Sequence, residues 1–331
     1  MYLPQSYEIA LFFMIGSMLC WGSWANTMKL CPGYRFQLFY WDYILGLFVG
    51  ILALGMTLGN AGAIGKPFVR DVLEAPSRAI VFALCSGAIF NVANLLLVAA
   101  IEIAGMAVAF PVGIGVALIV GALSSYLISP QGNPLLLFGG ITLVVIAIIC
   151  DSLAYRTREA AGSASNVRGI VISLLAGVLM GTFYPLVSKS MGLPNAPGPY
   201  ATALFFAIGT ALCALPVNYL FMRKPIDGGS SVTLSGYTGA PFRWHIAGVL
   251  GGAIWVCGAT LNFAASRVNF VGPAISYSIG QGATMVSAFW GVFVWREFPS
   301  PSPSVRILLI AMFACFLAGL VAIAVAPLYP N

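Results

Sequence analysis

GAIFNVANLLLVAA at residues 87–100 and GAIWVCGATLNFAA at residues 252–265 align without a gap at a separation of 165 residues. The same shift lays Ile114–Val116 (IGV) on Ile279–Gln281 (IGQ), and a shorter echo relates GSWANTMKL (22–30) to GTFYPLVSKS (181–190). Ungapped agreement of this length, at matching positions in apolar stretches, reads as duplication of one membrane-spanning unit. The remaining chain fits that reading. An apolar helix needs roughly 20 residues to cross about 30 Å of hydrocarbon. Ten stretches qualify: 8–29, 36–58, 79–101, 104–128, 135–155, 168–190, 198–222, 244–265, 271–295 and 305–326. Gly-, Pro- and polar-rich segments such as CPGYR, SPQGNP, GLPNAPGP and FPSPSPS separate them. The junctions around Glu102 and Val268 are so short that their flanking helices are expected to form antiparallel hairpins.

The expected fold is therefore an all-α integral membrane protein of ten transmembrane helices, with repeats at residues 1–160 and 161–331. Five helices per unit is an odd number, so the halves lie in opposite orientations. A 5+5 inverted-topology repeat is an architecture of alternating-access transporters, which bind substrate near the midplane between halves.

Composition excludes other classes. Of 331 residues, 60% are apolar and 7% are Asp, Glu, Lys or Arg, whereas soluble domains carry about 25% charged residues. The net charge of +6 comes from fifteen Lys and Arg set singly or in pairs between apolar stretches. These are membrane anchors rather than a nucleic-acid patch. Ten of them, Lys29, Arg35, Arg156, Arg158, Arg168, Arg223, Lys224, Arg243, Arg296 and Arg306, fall in or beside odd-numbered loops. Only five, Lys66, Arg70, Arg78, Lys189 and Arg267, fall on the other side. The positive-inside rule then places both termini outside, in a plasma (inner) membrane. Seven scattered cysteines without a C-x-x-C pair read as small core residues. A single histidine, His245 at a helix edge, gives no metal or catalytic cluster. No cofactor and no enzymatic activity are expected. Residues 1–10 lack the basic start of a leader peptide, and the first apolar stretch is too long for one.

SAFWGVFVWREF (287–298), preceded by a Gly- and Gln-bearing helix and followed by a Ser/Pro turn, resembles the penultimate-helix motif of the ureide permeases. These belong to the drug/metabolite transporter superfamily. WGSW (21–24), YWDY (40–43), the Asn94–Leu95 step and FYP (183–185) are similar too, in consistent order along nearly the whole chain. The resemblance implies the ten-helix inverted-repeat fold and proton-linked uptake of ureides such as allantoin, or oxo-heterocycles such as uracil. Residues 156–167 are short and hold no phosphate-loop motif, so nucleotide binding is not implied. Asn26 and Lys29 depart from the plant pattern. Families of the same superfamily carry sugars, so a sugar porter or a drug/metabolite exporter on this fold is the alternative.

Polar groups within hydrocarbon mark pathways or helix-tying contacts. Asp42, about two turns into the second stretch between Tyr40, Trp41 and Tyr43, is the candidate proton-coupling residue. An ionised Asp near the bilayer centre costs roughly 2.5–3.5 kcal/mol on insertion scales, which favours its neutral form. The alternative is an interfacial Asp paired with a cation such as Arg35. In the ninth stretch Tyr277, Gln281, Thr284 and Ser287 share one helical face. Their repeat mates Val112, Val116, Ile119 and Ala122 are apolar, so one half supplies polarity and the other a wall. Gln281 offers two donors and an acceptor to a ureide or lactam edge.

Trp255, Ala259 and Asn262 share a face of the eighth stretch, and Ala259 superposes on Asn94. Trp21 and Trp24 are placed to stack on a flat heterocycle. Tyr184 stands beside Pro185, which makes either a gating kink or a tolerated bend. The expected substrate-binding set is Trp21, Trp24, Asn94, Tyr184, Trp255, Asn262, Tyr277, Gln281 and Thr284. Lys29 and Lys189, nearly equivalent in the repeat, are expected to snorkel to opposite interfaces. Glu102 and Arg267 are expected at the surface, and Arg296 with Glu297 as an interfacial pair. The expected partners are a small-molecule substrate, protons and the lipid bilayer, without nucleic acid; a homodimer is compatible with this reading.

Overall fold

A computed structural model of the chain describes residues 1–156, 167–226, 229–268 and 270–329. Arg158, the junction between the expected halves and most of the 156–167 segment lie outside the described residues. All regular structure among the described residues is helical: α1 (Tyr7–Ser23), α2 (Phe36–Met56), α3 (Phe68–Leu73), α4 (Ser77–Ala104), α5 (Met106–Ile128), α6 (Pro134–Arg156), α7 (Val167–Gly192), α8 (Pro199–Arg223), α9 (Leu234–Thr238), α10 (Phe242–Ser266), α11 (Gly272–Gly280), α12 (Ala283–Phe289) and α13 (Pro303–Val325). A 3₁₀ turn, Trp24–Leu30, continues α1.

Nine helices among the described residues are long and apolar enough to cross a membrane, α1 with its 3₁₀ turn counting as one. The remaining expected stretch, the ninth at 271–295, is not a single helix. It breaks between α11 and α12 at Gln281–Gly282 and widens into a π turn at Trp290–Val294. The cause is local. Glycines flank Gln281 on both sides, and glycine weakens a helix interior by about 1 kcal/mol. Turn bonds of i−3 type, Gly282 N–H to Ile279 O at 2.9 Å and Met285 N–H to Gly282 O at 2.9 Å, replace the regular ladder there. Exposed Leu, Ile, Val and Phe side chains on most long helices supply the lipid-facing surface.

Backbone proximity organises the interior. A Cβ on Gly87 of α4 would stand 2.0 Å from Phe206 O of α8, and one on Gly209 of α8 would stand 2.1 Å from Leu84 O. Between α10 and α2 the same occurs: Gly252 would meet Tyr43 O at 1.9 Å, and Gly46 would meet Val249 O at 2.0 Å. Only glycine permits such approach, the small-residue packing of membrane helices. The glycine–partner pairs correspond, since Gly252 and Val249 lie 165 residues beyond Gly87 and Leu84. α4 also packs on α7, α10 on α1, and α6 on α13. The α4–α5 and α10–α11 pairs touch as expected of hairpins, although α4 packs mainly on α7 and α8. α7 runs unbroken through Pro185.

Candidate functional site

α1, α4, α7, α10 and the broken α11–α12 segment converge on a cavity of about 170 Å³. Its walls are Trp21, Trp24, Phe90, Phe183 and Trp255, and its polar lining is Asn94, Gln281, Thr284 and Ser287. Trp24, Asn94, Thr284 and Ser287 also border a second compartment of about 500 Å³. That compartment runs past Tyr34, Arg35, Glu102, Asp151 and Tyr155, towards the face of the first, third and fifth loops.

The aromatic wall is fixed before any ligand arrives. Trp21 donates its indole N–H to Trp255 O at 3.2 Å, and the two rings stack with centroids 5.8 Å apart. Trp255 in turn lies against Phe90 at 4.3 Å and stacks on Phe206 at 5.5 Å. Gly280 makes room for Trp21, since a Cβ there would meet the indole at 2.8 Å. Of the polar groups, Thr284 donates to Gln281 O at 3.0 Å, whereas the two amides are less committed. The Asn94 side chain is buried with Nδ2 lacking a protein partner. No described residue hydrogen-bonds the Gln281 side-chain amide, which the helix break presents to the cavity. A buried polar group without a partner costs about 1–3 kcal/mol, so Asn94 Nδ2 has a donor to spare for a ligand, and the Gln281 amide faces the same cavity.

Six of the nine expected binding residues therefore line one cavity: Trp21, Trp24, Asn94, Trp255, Gln281 and Thr284. Tyr184, Asn262 and Tyr277 do not. Asn262 Nδ2 donates to Ser17 Oγ at 3.1 Å and to Ser276 O at 2.9 Å, and its Oδ1 accepts from Ser276 Oγ at 3.1 Å and from the Tyr184 hydroxyl. That knot ties α1, α7, α10 and α11 beside the cavity. Tyr277 spends its hydroxyl on Ala117 O of α5 at 3.2 Å. The expectation of one polar face over Tyr277, Gln281, Thr284 and Ser287 assumed a continuous helix; the break turns Tyr277 away from the other three.

Asp42 is 1% exposed and lies off the cavity lining. Tyr34 donates to its Oδ2 at 3.2 Å and Tyr237 to its Oδ1 at 2.6 Å, while His245 Nδ1 sits 2.9 Å from Oδ2. His245, expected at a helix edge, faces Asp42 because α10 crosses α2 at Gly248, where the Asp42 side chain fills the space of a Cβ. Burial, then the Asp42 charge and hydrogen bond, pushes the Tyr34 phenol well above its ordinary range. Burial, followed by the bond to Asp42, pushes Tyr237 up to about 12. Tyr34 also lines the larger compartment, so one side chain joins the cavity to the buried carboxylate.

Asp151 escaped the sequence reading, and so did the partners of Glu297. Asp151 lines the larger compartment with Oδ1 buried and unpartnered. Its position inside an apolar stretch was the available signal. Glu297 holds Lys29 at 2.7 Å and accepts from the Tyr155 hydroxyl, and Trp295 donates to Asn26 Oδ1 at 2.6 Å. These contacts clamp the end of the 272–294 segment to the 3₁₀ turn after α1, and they commit Lys29 to a protein carboxylate rather than to lipid.

These features, apolar crossing helices around a central cavity with broken helices at its wall, define the class of an integral membrane transporter. Residues 13–326 match the family of sugar transport proteins, and the chain belongs to that family. It is 23% identical to ureide permease 1 of Arabidopsis thaliana, over 96% of this chain and 97% of that one. It is 24% identical to the glucose uptake protein GlcU of Bacillus subtilis, over 70% of this chain and 73% of GlcU. A putative ribose uptake protein RbsU of Staphylococcus aureus is 24% identical over 87% of this chain and 89% of that one. A solved crystal structure superposes with a TM-score of 0.65, over 96% of this chain and 98% of that one, at 17% identity, a likeness of fold alone.

Proposed function

We propose that this protein is a secondary active transporter that takes up a small, flat, polar heterocycle, a ureide such as allantoin or a nucleobase such as uracil, together with protons. The observation that carries the reading is the cavity itself: tryptophan walls fixed by stacking, with two amides, Asn94 and Gln281, between them. A planar ligand with lactam edges uses both features at once, stacking by its face and pairing by its rim. A hexose presents hydroxyls around its whole circumference, and this lining offers it few partners beyond the two amides, Thr284 and Ser287. The sugar reading keeps support from the GlcU and RbsU relatives, whereas a drug exporter has no feature here to favour it.

Transport on this reading follows alternating access between halves 1–160 and 161–331, related as a 5+5 inverted repeat of ten spans with the broken 272–294 segment as the ninth. The corresponding glycine contacts of α4–α8 and α10–α2 support that symmetry. So does the discontinuous segment at the binding site, a recurring device of inverted-repeat transporters. With both termini outside a plasma membrane, the larger compartment opens to the cytoplasm and the form described is inward-facing. Asp42 is the coupling carboxylate, reached from the cavity through Tyr34 and in hydrogen-bond contact with His245 Nδ1. Tyr184, Asn262 and Tyr277 serve the site by bracing the helices that carry it.

Thermal unfolding of the purified protein in detergent, with allantoin, uracil, xanthine, uric acid, glucose, ribose and lipophilic cations, tests the assignment. A ligand that binds only the folded state raises the midpoint with the logarithm of its concentration over its dissociation constant. Upward shifts confined to ureides and oxo-heterocycles, and lost in Gln281→Ala, are expected. A shift only with sugars transfers the site to the alternative substrate.

A further inference from the structure

Three cations stand together on the face of the even-numbered loops with no acid to meet them. Arg78 at the start of α4, Lys189 near the end of α7 and Arg267 just beyond α10 line one cavity of about 540 Å³, together with Ser188, Ser266 and Gln131. No Asp or Glu is among its described lining residues. Among the described residues, the one hydrogen bond these three cations make runs from Arg267 Nη1 to Met191 O at 2.6 Å, and none of the three takes part in an ion pair. Ser188 Oγ and Gln131 Oε1 are buried in the same region without partners.

Such a cluster needs a cause. The positive-inside rule disfavours cations on this face, and only five of the fifteen fall there. Three of those five share one cavity. Like charges in a concave, low-dielectric setting repel one another and focus a positive potential. Snorkelling accounts for a single lysine at an interface, not for three cations turned into one space. The repeat sharpens the contrast. Lys29, near-equivalent of Lys189, is neutralised by Glu297 at 2.7 Å, and the position 165 residues before Arg267 is Glu102. The other face thus supplies acids at these places, where this cavity has none among its described lining residues.

We propose that this cavity binds an anionic group of carboxylate or phosphate size, held by Arg78, Lys189 and Arg267 with the Ser188 hydroxyl as a further donor. The inference does not depend on which solute occupies the central cavity. The anion comes either from a free solute or from a phospholipid headgroup, and the chemistry of recognition is the same for both.

The full chain in nanodiscs of neutral phosphatidylcholine is titrated by calorimetry with inorganic phosphate and with succinate at constant ionic strength. Saturable binding is expected, weakened on the order of tenfold in Arg78→Gln and in Lys189→Gln by loss of one charge-assisted contact. It is expected unchanged in Lys66→Gln, a cation on the same face paired with Glu74 at 2.8 Å. Arg267→Gln also removes the bond to Met191 O, so the other two variants decide the matter if it fails to fold. In parallel, native mass spectrometry follows retention of phosphatidylglycerol. A retained anionic lipid that is lost in Lys189→Gln, without phosphate or succinate binding, assigns the site to a headgroup. Absence of both anion binding and charge-dependent lipid retention would overturn the proposal.

Discussion

Asn94 and Asn262 lie on similar faces of α4 and α10, yet they should respond oppositely to truncation. Asn262 takes part in four side-chain hydrogen bonds, two from Nδ2 and two to Oδ1. Interhelical bonds of this kind contribute about 0.6 kcal/mol each on average in a membrane protein, or roughly 2.4 kcal/mol for the set. Asn262→Ala also leaves the fully buried Tyr184 hydroxyl with only the Asn262 carbonyl at 3.4 Å. An orphaned hydroxyl adds about 1 kcal/mol or more, so a loss of about 2–4 kcal/mol is expected. Asn94→Ala removes an amide whose Nδ2 has no partner, so stability should change by less than about 1 kcal/mol. Its cost should appear in binding: one neutral hydrogen bond is about 0.5–1.5 kcal/mol, or two- to tenfold in affinity. Reversible unfolding in mixed micelles and ligand titration of both variants separate the effects. An Asn262→Ala protein of wild-type stability that binds poorly, or an Asn94→Ala protein that unfolds while binding normally, would refute the division of roles.

Gly252→Ala puts a methyl 1.9 Å from Tyr43 O, where about 3.5 Å is an ordinary contact. A destabilisation of about 1–3 kcal/mol should follow, while Gly139→Ala, with nothing within 4 Å, should be neutral in the same unfolding assay. Tyr237 should titrate near pH 12 by its 295 nm absorbance difference against Tyr237→Phe, and Asp42→Asn should lower that value. Because its folded pKa lies above the ordinary 10.0, the stability it contributes is complete below pH 10 and is lost as pH rises through about 12; hydrogen exchange of α9 should report that loss. Lys29→Ala and Glu297→Gln should each change stability by less than about 1 kcal/mol and should not add in a double-mutant cycle of substrate release rates.

The crossing helices were legible in the sequence because bilayer thickness fixes their length, and most ends agree with the structure within a few residues. The ninth stretch was not, because hydropathy does not register a break inside a segment that stays apolar on average; Gly280 and Gly282 around Gln281 were the signal. The cavity residues were legible where a polar or aromatic residue interrupted an apolar stretch, as Asn94, Gln281 and Trp255 do. Asn262 and Tyr184 carry the same signal, but pattern alone cannot distinguish an amide that meets a ligand from one that meets a serine on another helix. The Asp42–His245 contact depended on α2 and α10 meeting at Gly248, and the basic cavity on five helix ends and a loop converging. Both are matters of tertiary packing.

The central claim is proton-linked movement of a heterocycle through the Trp-walled cavity, and uptake into proteoliposomes tests it most directly. Protein in sealed vesicles should accumulate radiolabelled allantoin or uracil above equilibrium when the exterior is made acidic. Gln281→Ala should abolish that uptake. Asp42→Asn should abolish the pH-driven part while preserving exchange of labelled for unlabelled substrate. Glucose accumulation with no heterocycle uptake, or uptake indifferent to the pH gradient, would contradict the account.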